Sequence, residues 1–329
     1  MRVLTVTNMY PDAERPWSGV FVQDQVESLR KLGIDVDVFL VDGPRNRLNY
    51  GLGILRLWKH LSANRYDLLH AHYVYSGLVA RAQWRHPVVL THHGPEVFMF
   101  PFQAAICRKA TPWFDQVIVM SQEMKDRLGY PRAHVIPCGV DVGRFQPMPL
   151  EQARHELGLA PDRKLVLWAG DPRRPEKRFE LVQAAIDLLR QRDQSIDLVL
   201  LQGKPHDTVP KYMSACDVLV LASDGEGSPM VVKEAMACNL PVVATPTGDV
   251  EQLLGGVEGS YVCTQDPSDI ADKVSLVLQQ RSRSKGNEAI RHLSLDTIAR
   301  AIQQVYERTV SRDRVSRNEP IQLTAPRPQ

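Results

Sequence analysis

Short apolar runs alternate with segments of helical period along most of the chain. RVLTVT is followed by VFVQDQVESLRKLG, whose apolar positions recur at helical spacing until Gly33. IDVDVFLV then reads as strand, LGILRLWKHLSA as helix, DLLHAHY as strand and GLVARAQWR as helix. PVVLTHHG, QVIVMS and HVIPCG add three more strands. The series restarts after GVDVGRFQPMP, with strands in KLVLWAG, IDLVLLQG, DVLVLAS and PVVAT. Helices in RFELVQAAIDLLRQR, VPKYMSAC and MVVKEAMAC separate them. Short, β-rich apolar runs with helices between them predict parallel sheets covered on both faces. The fold class expected is therefore α/β, with two Rossmann-like halves joined where Pro147 and Pro149 punctuate the chain. Open parallel sheets bind ligands outside the carboxyl ends of their strands. Two facing sheets would put the site in an interdomain cleft, with its motifs just after strands.

Length agrees with two domains, since single cores rarely grow past about 250–300 residues, and this chain has 329. A composition of 43% apolar and 24% charged residues is that of a soluble globular protein. The formal net charge of +2 gives no argument for nucleic acid as a partner. It divides unevenly, roughly +4 before residue 155 and about −2 after it. No apolar run reaches the roughly 18 residues needed to cross a bilayer, and MRVLTVTNMYP lacks the cleavage site of a signal peptide. The five cysteines (107, 138, 216, 238 and 263) are scattered, odd in number and without a CxxC spacing. They are expected as reduced thiols of a cytoplasmic protein, several of them small core residues. From about Arg312 the chain is rich in Arg, Pro and Ser, and residues 312–329 are expected to be disordered.

EGSPMVVKEAMACNLPVVAT carries the most concentrated candidate chemistry. The strand DVLVLAS delivers the chain to Asp224, Gly225, Glu226 and Gly227, a loop whose glycines would permit unusual backbone angles. Ser228 is a favoured N-cap and Pro229 a favoured first helical residue, so a helix is expected from Pro229 to about Cys238, with Asn239 as a left-handed cap. Its free N–H groups would make an anion site. Glu226 would then sit in the loop and Glu234 a turn and a half inside the helix. A carboxylate can accept from two neighbouring hydroxyls, which suits polyol recognition. Spacing alone leaves two solvated charges as an equal reading.

Other motifs are individually weaker. AGDPRRPEKRFE places Arg173, Arg174, Lys177 and Arg178 between a strand and a helix, where cations can neutralise a phosphate leaving group; a solvated basic turn explains them equally well. Gly19 in PWSGVFVQDQ would let backbone amides approach a phosphate, or simply permit a tight turn. No GxxxxGK[ST] or GxGxxG is present, which argues against a P-loop and against a nicotinamide or flavin site. His70 and His72 share a strand face, and His92 and His93 end another strand, but no carboxylate or Cys completes a metal-ligand spacing, so no metal is expected. The D-x-D in IDVDVF alternates along a strand, as solvent-facing charges do. RNRLNYGLGILRLWKHLSANR and VFMFPFQAAICRKATPWF mix basic with aromatic or aliphatic residues; core-facing helices or peripheral contact with an anionic membrane would each account for them.

Taken together, these residues resemble the family-4 retaining glycosyltransferases, whose GT-B fold sets two Rossmann-like domains face to face. DVLVLASDGEGSPMVVKEAMACNLPVVATPTGDVEQLL is similar to that family's E-x7-E signature, with Glu226 and Glu234 as its glutamates. VIPCGVDVGRFQP resembles the segment before the domain junction, THHGPEV the T-x-H-G-x-D/E stretch, and SGVFVQDQVESLRKLG the first-helix region; the likeness covers about residues 1–310. It implies an acceptor-binding domain over 1–146, a nucleotide-sugar domain over 147–295 and a C-terminal helix over 296–311 that packs back on the first domain. It implies that Glu234 binds the donor ribose and Glu226 the hydroxyls of the transferred sugar. The backbone of Gly227, Ser228, Pro229, Met230 and Val231 would contact the sugar or diphosphate. Lys177 would hold the diphosphate, Gly19 would approach it from the other domain, and His93 would lie beside the reacting carbon.

The chain departs from the family pattern at the first motif. Gly170 is followed by Asp171 and Pro172 rather than Arg, with one residue more before Lys177. Arg173 would supply the missing guanidinium, with Arg174 as the other candidate. QGKPHDTVPKYM, where the base would sit, is short, so donor identity stays open between a UDP- and a GDP-sugar. The reaction implied is transfer to a hydroxyl of a glycan or lipid-linked acceptor at the cytoplasmic membrane face, with retention and with no cofactor or metal required. Cell-surface polysaccharide or glycolipid synthesis is the expected setting. A nucleotide-sugar epimerase of the same fold and an inactive nucleotide-sugar-binding protein are the alternatives. A glycosidase fits poorly, since its two carboxylates must flank one bond about 5–9.5 Å apart.

Overall fold

Strands that are apolar at every position become buried on both faces, and the computed structural model, which describes residues 1–43, 45–311 and 320–323, follows that rule. The chain divides into two compact units, Met1–Gly139 with the helix that begins at Leu295, and Val140–Ser294. Unit 1 holds β1 (Arg2–Thr7), β2 (Asp35–Leu40), β3 (Leu68–His72), β4 (Val88–Thr91), β5 (Gln116–Val119) and β6 (His134–Val135). They form one parallel sheet in the order β2-β1-β3-β4-β5-β6. Between them run α1 (Val20–Lys31), α2 (Leu48–Ala63), α3 (Val74–Arg81), α4 (Pro95–Phe98), α5 (Pro101–Ala110) and α6 (Gln122–Leu128). β3, β4 and β5 are buried throughout, whereas the edge strand β2 alternates. The D-x-D falls on that edge: Asp37 accepts from Arg2 and Tyr66 at 2.8 Å each, and the mostly exposed Asp35 lies 3.3 Å from Arg2 Nε.

Unit 2 begins with α7 (Leu150–Leu157) and continues β7 (Lys164–Trp168), α8 (Phe179–Arg192), β8 (Ile196–Leu200), α9 (Val209–Ala215), β9 (Val218–Leu221), α10 (Met230–Ala237), β10 (Val242–Ala244), α11 (Val250–Leu254), β11 (Tyr261–Val262), α12 (Pro267–Gln280) and α13 (Gly286–Ile290). Its parallel sheet has the order β11-β10-β9-β7-β8. The core on one face packs Val182, Ile186 and Leu189 of α8 and Ile270, Val274 and Val277 of α12 against Val166, Trp168, Val218 and Val220. β7, β9 and β10 are neighbours in this sheet, so the loops leaving their carboxyl ends lie side by side.

The division between units falls ahead of the junction expected at 146–147. The connector is tied into unit 2: the Val140 N–H donates to the Leu293 carbonyl (2.9 Å) and the Met148 N–H to Ser214 Oγ (3.3 Å). The prolines therefore stiffen a segment that already belongs to the second unit. α14 (Leu295–Val310) packs against α1 and β3 of unit 1 and buries Tyr306 completely. Of the tail expected to be disordered, residues 312–319 and 324–329 lie outside the described residues. The short stretch 320–323 is ordered against β6: the Ile321 N–H donates to His134 Nδ1 (2.8 Å) and its carbonyl accepts from Val135 (2.9 Å). All five cysteines are free thiols, four of them buried.

Candidate active site

Adjacency of β7, β9 and β10 brings three loops together at one end of the second sheet. The loop after β7 turns through a 3-10 segment, Pro175–Lys177, whose Glu176 carbonyl accepts from the Asp224 N–H (3.0 Å) in the loop after β9. Lys177 Nζ meets Glu226 Oε1 at 2.5 Å, with both side chains less than one-fifth exposed. The Glu226 N–H in turn donates to Thr247 Oγ1 (2.7 Å) in the loop after β10. A cation and a carboxylate are thus held side by side, each fixed by a different strand end. Such a pair can offer positive charge to a phosphate and paired lone pairs to hydroxyls.

α10 begins one residue later than expected. Pro229 is its N-cap, with extended angles, and Ser228 does not cap the helix. The Ser228 hydroxyl is instead committed to Asp249 Oδ2 in the loop after β10. Because Pro229 has no N–H, the unpaired donors of this turn are those of Met230 and Val231. Glu234 is half-buried within α10, and Asn239 adopts the expected left-handed conformation (φ +56°). The unusual glycine angle of this region lies at Gly248 (φ +63°), not at Gly225 or Gly227. A Cβ on Gly248 would stand 2.6 Å from the Gly227 carbonyl oxygen and 2.8 Å from that of Glu226. Lys233 and Asp249 are both buried; burial raises the Asp249 pKa, and the positive charge of Lys233 opposes that shift. Thr247, Gly248, Asp249 and Lys233 are site-building residues that sequence reasoning missed. For the first three the signal was position: TPTGD follows directly on a strand, as the other site loops do.

The four cations after β7 separate cleanly. Arg173 is 84% exposed and clamped on Asp171, with Nε and Nη2 at 2.9 and 2.8 Å, which pulls the Asp171 pKa down to about 2. Arg174 pairs with Glu176. Arg178, in a left-handed conformation (φ +53°) at the N-cap of α8, places Nε 3.2 Å from Glu180 and 3.5 Å from Asp224. Lys177 is therefore the cation brought to Glu226. Arg173, expected to supply a guanidinium for the site, is turned outward because Asp171 two residues before it captures it.

In unit 1, Gly19 is the N-cap of α1 with φ +71°. A Cβ there would stand 2.5 Å from the Met9 carbonyl oxygen, so the tight turn by itself requires glycine. His93 is buried at the end of β4, and its Nε2 lies 2.9 Å from His72 Nδ1. Phe21 and Tyr73 rings stand 4.8 and 4.9 Å from its ring centroid. Glu96 Oε1 accepts from the His93 N–H (3.1 Å). His70, beside His72 on β3, is held by the Tyr306 hydroxyl (2.6 Å) and Thr91 Oγ1 (2.7 Å), which accounts for the H-x-H as core hydrogen bonding. Among the described residues no group of three His, Cys, Asp or Glu side chains is arranged to hold a metal ion. Tyr73 adopts φ +69°, ψ 146°, a region that costs an ordinary residue about 1–3 kcal/mol and that clusters at functional sites. No sequence signal announces it.

Burial keeps these histidines neutral: His70 and His93 are pushed well below the usual imidazole range, His72 to about 3 and His134 to about 4. In the unfolded chain each protonates near its ordinary value, so the unfolded state binds more protons between pH 6.5 and those lowered values. Stability is then full above about pH 6.5 and falls as pH drops below it, by up to about 1.4 kcal/mol per pH unit for each histidine. Urea unfolding followed at pH 8, 7, 6 and 5 should show a loss of several kcal/mol between pH 7 and 5. A flat profile over that range would contradict the neutral buried cluster. Carboxylates such as Asp171 titrate at lower pH and do not mimic it.

Comparison with known proteins finds matches in both units. The model of Glycosyltransferase Family 4 matches residues 18–144 and that of Glycosyl transferases group 1 matches residues 164–280. TuaC of Bacillus subtilis, a glycosyltransferase provisionally assigned to teichuronic acid biosynthesis, is 26% identical over 78% of this chain and 83% of its own. The sucrose-phosphate synthase of Thermosynechococcus elongatus superposes with a TM-score of 0.77 at 20% identity, covering 93% of this chain and 98% of that one. Anabaena HepE in complex with UDP-glucose superposes with a TM-score of 0.68 at 20% identity, covering 92% and 98%.

Proposed function

We infer from a chain that belongs to glycosyltransferase family 4, and is a glycosyltransferase of GT-B fold class, that it moves a sugar from a UDP- or GDP-sugar to an acceptor hydroxyl with retention of anomeric configuration. The observation that carries this reading is the Lys177–Glu226 pair, fixed at adjacent strand ends immediately before the N-terminus of α10. As the glycosidic bond breaks, the sugar becomes oxocarbenium-like and the diphosphate gains charge. Lys177 and the first amides of α10 meet that charge, the kind of electrostatic stabilisation that usually dominates. Glu226 holds sugar hydroxyls, and Glu234, one and a half turns along the helix, holds the ribose. Gly227 and Ser228 keep the loop close to the diphosphate; Gly19 approaches that diphosphate and His93 the reacting carbon. Arg173, clamped on Asp171, is left out of this assignment.

Attack comes from the leaving-group face, with a departing phosphate oxygen taking the acceptor proton, a route that the family resemblance supports. Positive charge from Lys177 and α10 makes the step metal-independent, and turnover should survive EDTA. A UDP-glucose complex of a protein with the same fold supports a uridine donor of the two candidates. A glycan or lipid-linked acceptor in cell-surface polymer synthesis is supported by the TuaC relationship, and a cytoplasmic setting by five free thiols.

The test is incubation of the purified chain with UDP- and GDP-sugars and an acceptor panel, reading the anomeric configuration of the product by NMR. A retained linkage is expected, and an inverted one overturns the mechanism. Sugar interconversion without acceptor would make the protein an epimerase. Binding without turnover on every acceptor would make it an inactive nucleotide-sugar-binding protein.

A further inference from the structure

The helices on one face of the unit 1 sheet leave an apolar surface that packing does not explain. α2 fully buries only Gly53 and Leu57. Leu48, Leu52, Leu55 and Trp58, spaced four, three and three residues apart, are 73%, 55%, 61% and 52% exposed. That spacing gathers them into one stripe along the helix. α3 packs against both α2 and α5, so the three helices lie side by side. Trp84, just past α3, is 84% exposed, and Trp113, just past α5, is 58% exposed. Trp58, Trp84 and Trp113 thus sit toward the C-terminal ends of three neighbouring helices. The Trp58 indole N–H donates to the Ala82 carbonyl (2.9 Å), which fixes the ring with its polar edge satisfied and its apolar face outward. The Arg81 guanidinium stacks over Trp84 at 5.1 Å.

Charge selects the occupant. Between residues 42 and 115 the chain carries nine Lys and Arg against four carboxylates, of which Glu96 is buried, Asp42 pairs with Arg45 and Asp115 lies 3.7 Å from Arg81. Arg47, Arg56 and Lys59 flank or interleave the α2 stripe and are themselves exposed, whereas Arg45 is tied to Glu14 and Asp42. Pairing two copies through this face would set like charges against each other. An anionic bilayer instead attracts each Lys or Arg near its surface, and tryptophan favours the boundary between headgroups and acyl chains. An amphipathic helix with a basic rim lies in that boundary without crossing it, and no described helix is long and apolar enough to cross.

We propose that the α2–α3–α5 face of unit 1 docks on an anionic lipid bilayer, with the Leu48–Trp58 stripe lying in the interfacial plane and Trp84 and Trp113 at its edge. This docking does not depend on the donor assignment, and its readout is lipid binding. Flotation of the full chain with vesicles of phosphatidylcholine alone, and of phosphatidylcholine with phosphatidylglycerol, tests it. Binding to the anionic vesicles is expected, weakened by high salt, with little on the neutral ones. Leu52→Glu/Leu55→Glu, both on the exposed stripe, should weaken that binding at least about tenfold while circular dichroism stays unchanged. Three outcomes overturn the proposal: no binding to anionic vesicles, equal binding to both kinds, or undiminished binding by the double variant. A dimer in sedimentation velocity that the double variant dissociates would assign the face to a second copy of the chain and overturn it as well.

Discussion

Lys177→Ala is expected to slow sugar transfer by about 10²–10³-fold, the cost of removing one charged donor from a developing leaving-group charge. Its effect should divide differently from that of Glu226→Gln. Lys177 and Glu226 neutralise each other across 2.5 Å, so each holds the other in position. Removing the lysine takes away the phosphate partner and also leaves a mostly buried carboxylate beside the diphosphate, so nucleoside-diphosphate affinity and turnover should both fall. Glutamine at 226 keeps a hydrogen-bonding group on the loop, whose backbone remains anchored by Thr247. It also frees Lys177 from its ion pair. Diphosphate affinity should then hold or rise while turnover drops, because the grip on the sugar hydroxyls is weakened. Calorimetric titration of the two variants with nucleoside diphosphate, beside steady-state rates, separates the cases. Equal affinity in Lys177→Ala and the unaltered protein would remove Lys177 from the phosphate site.

Gly248→Ala is expected to cost about 10²-fold in transfer although residue 248 lies outside the loop that carries Glu226 and the first turn of α10. A left-handed backbone costs an alanine about 1–2 kcal/mol. The larger effect is steric: the new methyl would stand 2.6 Å from the Gly227 carbonyl oxygen and 2.8 Å from that of Glu226. Backbone cannot rotate aside as a long side chain can, so the Glu226–Ser228 loop must move. A displacement on the order of 1 Å suffices for such a loss when geometry sets the rate. Turnover assays, with urea unfolding to confirm a folded chain, check this. Near-normal turnover would mean that the loop after β10 does not position the loop after β9.

These two positions mark where the sequence was legible and where it was not. The E-x7-E stretch, the strand that precedes it and the lysine after the first strand of unit 2 were readable, because local periodicity and a strand end fix where they stand. Both parallel sheets were readable for the same reason: β4, β7 and β9 are apolar at nearly every position. Gly248, Asp249 and Thr247 were not, because their roles come from β10 lying beside β9, and strand order is set by tertiary packing. Arg173 was misread for a related reason. Sequence places a cation near the site, but a carboxylate two residues away decides where its guanidinium points. Ser228 looked like a helix cap by residue type, and a buried aspartate from the neighbouring loop took its hydroxyl. Tyr73 is a strained backbone position with no compositional signature at all. The exposure of the α2 stripe was open in the sequence, since an amphipathic pattern does not say whether its apolar side meets a core or something outside the chain.

The most direct test of the account is thermal unfolding of the purified full chain with UDP, GDP and their sugars, repeated on Lys177→Ala and Glu234→Ala. A donor nucleotide at a hundred times its dissociation constant should stabilise the unaltered chain by about 2.7 kcal/mol. Either substitution should remove most of that gain at the same concentration. If no nucleotide or nucleotide sugar stabilises the chain, or if both variants are stabilised as fully as the unaltered protein, the donor site does not lie where β7, β9 and β10 end.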